Sequence, residues 1–302
     1  MADRLAALLD HFSVRARTFH AGMLCGINAL EADEPFGQLH LIHDGEVEVR
    51  HGSTPPLRIT QPSLLLYPRP MAHRFITDQH RGANFVCAHV QFDGGTANPI
   101  AAALPDVVCL PLDRLQSCQS VLALLFGEAA EKNCGRQAML DRLFEVVLIH
   151  ILRELMEQGQ VGTGMLAGLA HDQLRRVLIA IHESPQRDWS LEDLAREAGM
   201  SRTVFATTFR NTLGCTPGNY LQGWRIGLAQ KMLRRGQSLK LIAADVGYGS
   251  EAALSRAFSA QTGLSPREWR KTQTAGTTGP VRPSSPQVAS AVASSDEATP
   301  SA

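Results

Sequence analysis

The C-terminal third of the chain carries one pattern twice, and that repetition limits the possible folds more than any other feature. Leu194-Ala195 recurs as Ile242-Ala243 and Gly199 as Gly247, both 48 residues on. Phe205 and Leu254, Phe209 and Phe258, Gly214 and Gly263, Pro217 and Pro266, and Tyr220 and Trp269 correspond at an offset of 49. The one-residue slip falls in the glycine turn, where an insertion costs least.

Each copy reads as two short helices crossing at a tight elbow. The first helix brings small and apolar residues: Leu191, Leu194 and Ala195, then Leu241, Ile242 and Ala243. A glycine suited to a left-handed helix end follows, and then Ser201 or Ser250, suited to an N-cap. The second helix is expected to bury Val204, Phe205 and Phe209 in one copy, and Leu254, Ala257 and Phe258 in the other. Between the copies, Tyr220 to Arg235 reads as one longer helix with Leu221, Trp224, Leu228 and Met232 on one side.

This segment, from about Leu174 to Lys271, resembles the DNA-binding domain of the AraC/XylS family. The run from Ile242 to Phe258, followed by Gly263-Leu-Ser-Pro266, is close to that family's signature. The resemblance implies two recognition helices in successive major-groove segments of a double-stranded operator. In the first unit Thr203, Ala206 and Thr207 would face bases, flanked by Arg202 and Arg210. In the second, Glu251, Ala252, Ser255 and Arg256 would do so. Arg256 suits a bidentate pair with guanine, and Glu251 can accept from cytosine. The bland alternative makes them solvated helix charges, or partners of each other. Ala206-Thr207-Thr208 departs from the long or basic side chains common in the family, which implies weak readout by the first unit.

The first 110 residues have a different grammar. Glu46-Val-Glu-Val49 alternates as a half-buried strand does, after a turn at Asp44-Gly45. Leu64 to Pro68 and Phe85 to Phe92 read as further strands, with turns at Pro55-Pro56 and Asp93-Gly-Gly95. Many short strands argue for a sandwich or barrel. In residues 113–170 the period changes: Leu140, Leu143, Phe144, Val147, Ile151 and Leu155 form one helical face. That face serves either as packing against the chain's own barrel or as a dimer contact.

Four N-terminal residues stand out: Cys25, His40, His73 and Cys87. Each lies in or beside an expected strand, and two thiolates with two imidazoles suit a closed tetrahedral zinc site. Residues 20–92 resemble the cupin-like sensing domain found ahead of such DNA-binding units, with Pro68-Arg-Pro-Met-Ala-His73 fitting the second cupin motif. The first motif region, Leu39 to Gly45, lacks its usual His-x-His. The chain is also similar to a subgroup that includes reactive-chlorine-sensing regulators, whose Cys, His, His and Cys positions are all filled here. Three readings stay open: a zinc site that oxidants release, bare thiols at Cys25 and Cys87 that oxidise to a disulfide or sulfenic acid, and small buried cysteines with no such role. His89 shares a strand face with Cys87 and can replace a ligand, whereas His43 has the outward parity. Cys109, Cys118, Cys134 and Cys215 show no ligand spacing. The expected fold is therefore α+β. A cupin-like β-barrel (1–112) precedes a helical linker or dimerisation segment (113–170), an all-α domain with two helix-turn-helix units (171–273) and a disordered tail (274–302).

Charge agrees with this division. The net formal charge is zero, but residues 1–170 hold 13 Lys and Arg against 18 Asp and Glu, whereas residues 171–273 hold 15 against 9. A basic segment behind an acidic one points to a polyanionic partner. No stretch approaches the roughly 18 uninterrupted apolar residues of a membrane span, and Asp3 and Arg4 interrupt any signal core, so a cytoplasmic protein with reduced cysteines is expected. The leading class is a dimeric, DNA-binding transcriptional regulator, an activator or a repressor, with RNA polymerase as a candidate partner. A cupin metalloenzyme is disfavoured, because the usual carboxylate ligand is missing and a double DNA-binding signature has no use in catalysis. A third class, an effector-sensing regulator, would use a barrel pocket lined by Phe36, Leu39, Phe85 and Phe92.

Overall fold

A computed structural model describes residues 5, 8–9, 12–32, 35–52, 54–93, 98–158 and 163–275. The expected tail falls, but for its first two residues, outside the described residues. The N-terminal strands are β1 (Val14–Leu24), β2 (Ile27–Leu30), β3 (Gly37–Asp44), β4 (Val47–His51), β5 (Leu57–Ile59), β6 (Ser63–Tyr67), β7 (His73–Ile76), β8 (Ala83–Phe92) and β9 (Val108–Pro111). They form two antiparallel sheets, ordered β1-β8-β3-β6-β9 and β2-β7-β4-β5.

The five-stranded sheet is covered on both faces, which explains why β6 reads as an unbroken apolar run. Its inner face gives Ile42, Leu65, Tyr67, Phe85 and Cys87 to a core shared with Val47, Val49 and Phe75 of the second sheet. Its outer face, with Leu39, Leu41, Leu64, Leu66, Val86 and Val90, packs under helices. These begin with α1 (Pro99–Ala103), after β8, and continue with α2 (Gln119–Ala130) and α3 (Arg136–Glu157).

Leu140, Leu143, Phe144, Val147, Ile151 and Leu155 of α3 are buried within the chain itself. That apolar face is therefore the barrel's own lid and not a dimer contact. The same helix closes an open sheet edge. Asp141 accepts from the Thr18 backbone N–H at 2.7 Å, Glu145 from that of Ala16 at 3.3 Å, and Gln137 donates to the Thr18 carbonyl at 2.8 Å. An edge strand so paired is withdrawn from further strand addition.

Helix α4 (Met165–Ala170) leads into the all-helical part: α5 (Leu174–Glu183), α6 (Leu191–Ala198), α7 (Arg202–Leu213), α8 (Pro217–Arg234), α9 (Leu239–Asp245), α10 (Glu251–Thr262) and α11 (Pro266–Ala275). The expected punctuation is present. Ser201 and Ser250 cap α7 and α10 through their hydroxyls, and Gly214 and Gly263 end those helices in the left-handed conformation. The two elbows differ. A Cβ on Gly199 (φ +65°) would meet nothing within 4 Å, whereas one on Gly247 (φ +83°) would lie 2.6 Å from Gln186 Cα and 2.7 Å from its carbonyl oxygen. We expect Gly199→Ala to cost about 1–2 kcal/mol for the left-handed backbone. Gly247→Ala should cost roughly 2–5 kcal/mol, because a backbone clash is added. Thermal unfolding of the two variants checks the order, and equal losses would contradict the close contact at Gly247.

Candidate nucleic-acid interface and barrel site

In α7, Phe205 and Phe209 are fully buried and turn the opposite side of the helix to solvent. Arg202, Thr203, Thr207 and Arg210 are exposed there, and Ala206 is half-buried. In α10, Leu254 and Phe258 are buried, Glu251, Ala252 and Arg256 are exposed, and Ser255 is half-buried. The expected readout positions thus lie on matching faces of the two second helices. Arg256 and Glu251 form no ion pair with each other, while Arg202 is drawn to Glu192 of α6 at 3.0 Å. One expectation is overturned. Val204 is 53% exposed, because it lies about 100° round the helix from Phe205 and off the buried stripe. Leu241, one of the apolar residues of the first helix of the second unit, is 60% exposed.

Helix α8 is gripped from both sides. Its Trp224 ring stacks on buried His182 of α5 at 3.7 Å, and His182 Nε2 lies 2.7 Å from the Tyr220 hydroxyl. From the barrel side, Phe12 meets Trp224 edge-on at 5.0 Å, and Arg234 pairs with Asp93 at the end of β8. Arg234 also lies over Trp269 of α11, which touches Phe258 of α10. A cavity of about 520 Å³ lies along this seam, with Phe12, Asp93, Tyr220, Trp224, Arg234 and Trp269 in its wall. None of these long-range contacts has a local sequence signal.

Inside the barrel the four singled-out residues separate. His40 on β3 is cross-strand from Cys87 on β8, both on the inner face, and His73 on β7 approaches from the opposite sheet. The Nε2 atoms of His40 and His73 are 3.1 Å apart. His73 Nδ1–H donates to the Met71 carbonyl at 2.8 Å. That bond leaves its Nε2 as acceptor, so His40 Nε2–H is the donor of the pair. His40 Nδ1 is then a buried acceptor with no hydrogen-bond partner. Burial, and then the neighbouring His73, His89 and His20, hold His40 well below the usual imidazole range. Burial likewise lowers His73 to about 4. The pair is neutral at pH 7. His43 points outward against Phe126, in keeping with its parity.

Cys25 lies outside this group. It is exposed in the turn between β1 and β2, with its sulfur against Gly82. The β1–β8 register pairs Leu24 with Ala83 and His20 with Cys87. Cys25 is therefore about 15 Å of strand from Cys87, beyond the roughly 7 Å that a disulfide spans. Among the described residues no three His, Cys, Asp or Glu side chains converge on one point. The donor set Cys25, His40, His73 and Cys87 does not fit a tetrahedral zinc ion in this arrangement, since only the two imidazoles meet. Burial also raises the Cys87 thiol far above its usual range, which disfavours the reactive thiolate. The residues expected to line one effector pocket separate too: Leu39 and Phe92 face the helices, whereas Phe85 faces the space between the sheets.

A barrel with an enclosed imidazole pair, joined to two capped helix pairs, defines a two-domain architecture. Residues 3–157 match the family described as Cupin, and residues 194–272 that described as Helix-turn-helix domain. The chain belongs to the cupin family through its N-terminal half and carries an AraC-type helix-turn-helix domain behind it. A putative AraC-like transcription regulator of Streptomyces lividans is 37% identical over 172 residues, covering 56% of this chain and 57% of that protein. The RCS-specific HTH-type transcriptional activator RclR of Escherichia coli is 28% identical over 214 residues, covering 69% of this chain and 75% of RclR. The chain thus spans little more than half the length of the Streptomyces relative. The DNA-binding domain of AdpA, solved in complex with a target DNA, is 31% identical over 35% of this chain and 97% of that one, with a TM-score of 0.34. No helix among the described residues is long and apolar enough to cross a membrane.

Proposed function

We propose that this chain is a sequence-specific, DNA-binding transcriptional regulator whose cupin domain senses a signal and passes it to the helix-turn-helix units. It acts as a cytoplasmic homodimer on a double-stranded operator, as an activator in contact with RNA polymerase, and not as an enzyme. The observation that carries the reading is the pair of exposed faces on α7 and α10, at equivalent places in two repeated units. The test is selection of duplexes from a random pool by the full chain. The expected product has, for each protomer, two conserved segments about one helical turn, roughly 10 base pairs, apart. In the Arg256→Ala variant one base preference in one segment should relax, with about a 5- to 150-fold loss of affinity. A pool with no enriched sequence would overturn the reading.

For the signal, the observations favour chemistry that begins at the exposed Cys25 thiol, by sulfenic acid formation and not by a Cys25–Cys87 disulfide. The name of RclR as RCS-specific is consistent with an oxidant. The alternative is a small effector in the barrel. Treating the full chain with a mild oxidant, followed by peptide mapping, should modify Cys25 and the exposed Cys134 and spare the buried Cys87 and Cys118. Metal analysis of the same protein should find well under one zinc per chain. A stoichiometric zinc that is lost on substituting either His40 or Cys25 would mean that the barrel has a second arrangement in which these residues meet.

A further inference from the structure

In its first two turns the first recognition helix has no free long hydrogen-bonding side chain, only two exposed threonine hydroxyls. Of the charged side chains on α7, Arg202 is held by Glu192 and Arg210 lies in the third turn. The first two turns, which enter the groove in helix-turn-helix docking, present instead the exposed Thr203, Val204 and Thr207. Their outermost atoms are largely methyl groups. Val204 alone among them is wholly apolar, and at 53% exposure it is far more open than a valine in a packed helix pair. Its counterpart in the second unit, at the offset of 49, is the half-buried Ala253. The exposed branched side chain is thus peculiar to the first unit, since the exposed apolar residue of the first turn of α10 is Ala252, with a single methyl. The second unit presents Glu251 and Arg256 instead.

The major groove displays one apolar group, the C5-methyl of thymine. Resting on the DNA-binding reading above, we propose that Val204, flanked by the Thr203 and Thr207 methyls, reads thymine methyls. The half-site under α7 is then specified by A·T pairs through van der Waals contact, and the half-site under α10 by hydrogen bonds to G·C pairs. The excess of basic residues in 171–273 supplies the affinity for the backbone that brings this face to the groove. Weak hydrogen-bonding capacity in α7 is in this view a different mode of reading and not a defect of readout.

Deoxyuridine removes the methyl and leaves pairing and the O4 acceptor intact, so it isolates the contact. The full chain is used with the operator obtained by selection, each thymine being replaced singly by deoxyuridine. One or two adjacent thymines in one half-site should each cost about a fourfold loss of affinity, the worth of one buried carbon. Replacements in the other half-site should cost less, because the exposed apolar group of α10 there is the single methyl of Ala252. Val204→Ala, an exposed position with little bearing on folding, should bind the thymine and uracil duplexes alike and keep the base preference under α10. Indifference of the wild type to every replacement would overturn methyl reading. So would uracil sensitivity that persists undiminished in Val204→Ala. Failure to select any operator would instead remove the DNA-binding reading, and this proposal with it. That outcome is distinguishable, because no consensus would exist to substitute.

Discussion

Stability of the barrel is expected to fall steeply as pH drops from 6.5 towards 4, and His73→Asn is expected to flatten that fall. His73 is held at about 4 in the folded chain by burial, against an ordinary value of 6.5. Above pH 6.5 the ring is neutral in both states, and its contribution is fully present. Below that, the unfolded chain takes up a proton that the folded chain refuses. Each pH unit then costs about 1.4 kcal/mol, and the whole window roughly 3 kcal/mol. His40 acts in the same direction, because its buried ring accepts a charge even less readily. The groups facing the pair are His20, His51, His89, Tyr67 and Cys87. Of these, Tyr67 and Cys87 are held neutral by burial, so no anion compensates a charged imidazole. Urea midpoints from pH 4 to 7.5 check this. The variant should be weaker than wild type at pH 7 and converge with it on acidification. Parallel curves would show that His73 titrates normally, and so is not enclosed as described.

What was legible in the sequence follows the range of the interactions involved. The helix-turn-helix units were legible because their caps, elbows and buried phenylalanines recur at fixed spacing, and local chemistry sets each of them. The β4, β6 and β8 strands and the outward parity of His43 were legible for the same reason. Val204 was misread because its neighbour Phe205 takes the inward position, and a hydrophobic residue beside another does not reveal which of the two is buried. Cys25 was misread for a reason of register: strand parity says which face a residue takes, not how far along the sheet it sits, and the β1–β8 pairing carries it past the end of the barrel. The apolar face of α3 admitted two partners, and only the tertiary arrangement shows that its own barrel covers it. The contacts of Phe12 and Asp93 with α8 join segments more than a hundred residues apart, which no spacing rule reaches.

Those last contacts carry the second large expectation. Phe12→Ala should uncouple the barrel from the helical domain. The Phe12 ring is 5% exposed, meets Trp224 edge-on, and fits where Gly227 has no side chain, since a Cβ there would lie 3.1 Å from its Cζ. Truncating a buried phenylalanine removes about 3–5 kcal/mol. The polar tie at this seam, Arg234 to Asp93, is one-quarter exposed at each partner and does not replace the lost apolar packing. Docking of two domains rests on modest interfaces, so a loss of that size is enough to separate them. Calorimetry should show wild type melting as one cooperative unit and Phe12→Ala as two transitions, with Trp224 fluorescence shifted to the red before the main event. DNA affinity without signal should survive, because Phe205, Phe209, Leu254 and Phe258 are untouched. The response to the signal should be lost. The reason lies in α8, which packs on both helix-turn-helix units and takes both barrel contacts along one helix. A barrel that shifts against Trp224 and Arg234 moves the element on which α7 and α10 both rest. A variant that still melts as one unit and still answers the signal would mean that coupling runs instead through α4, wedged between the barrel and α7.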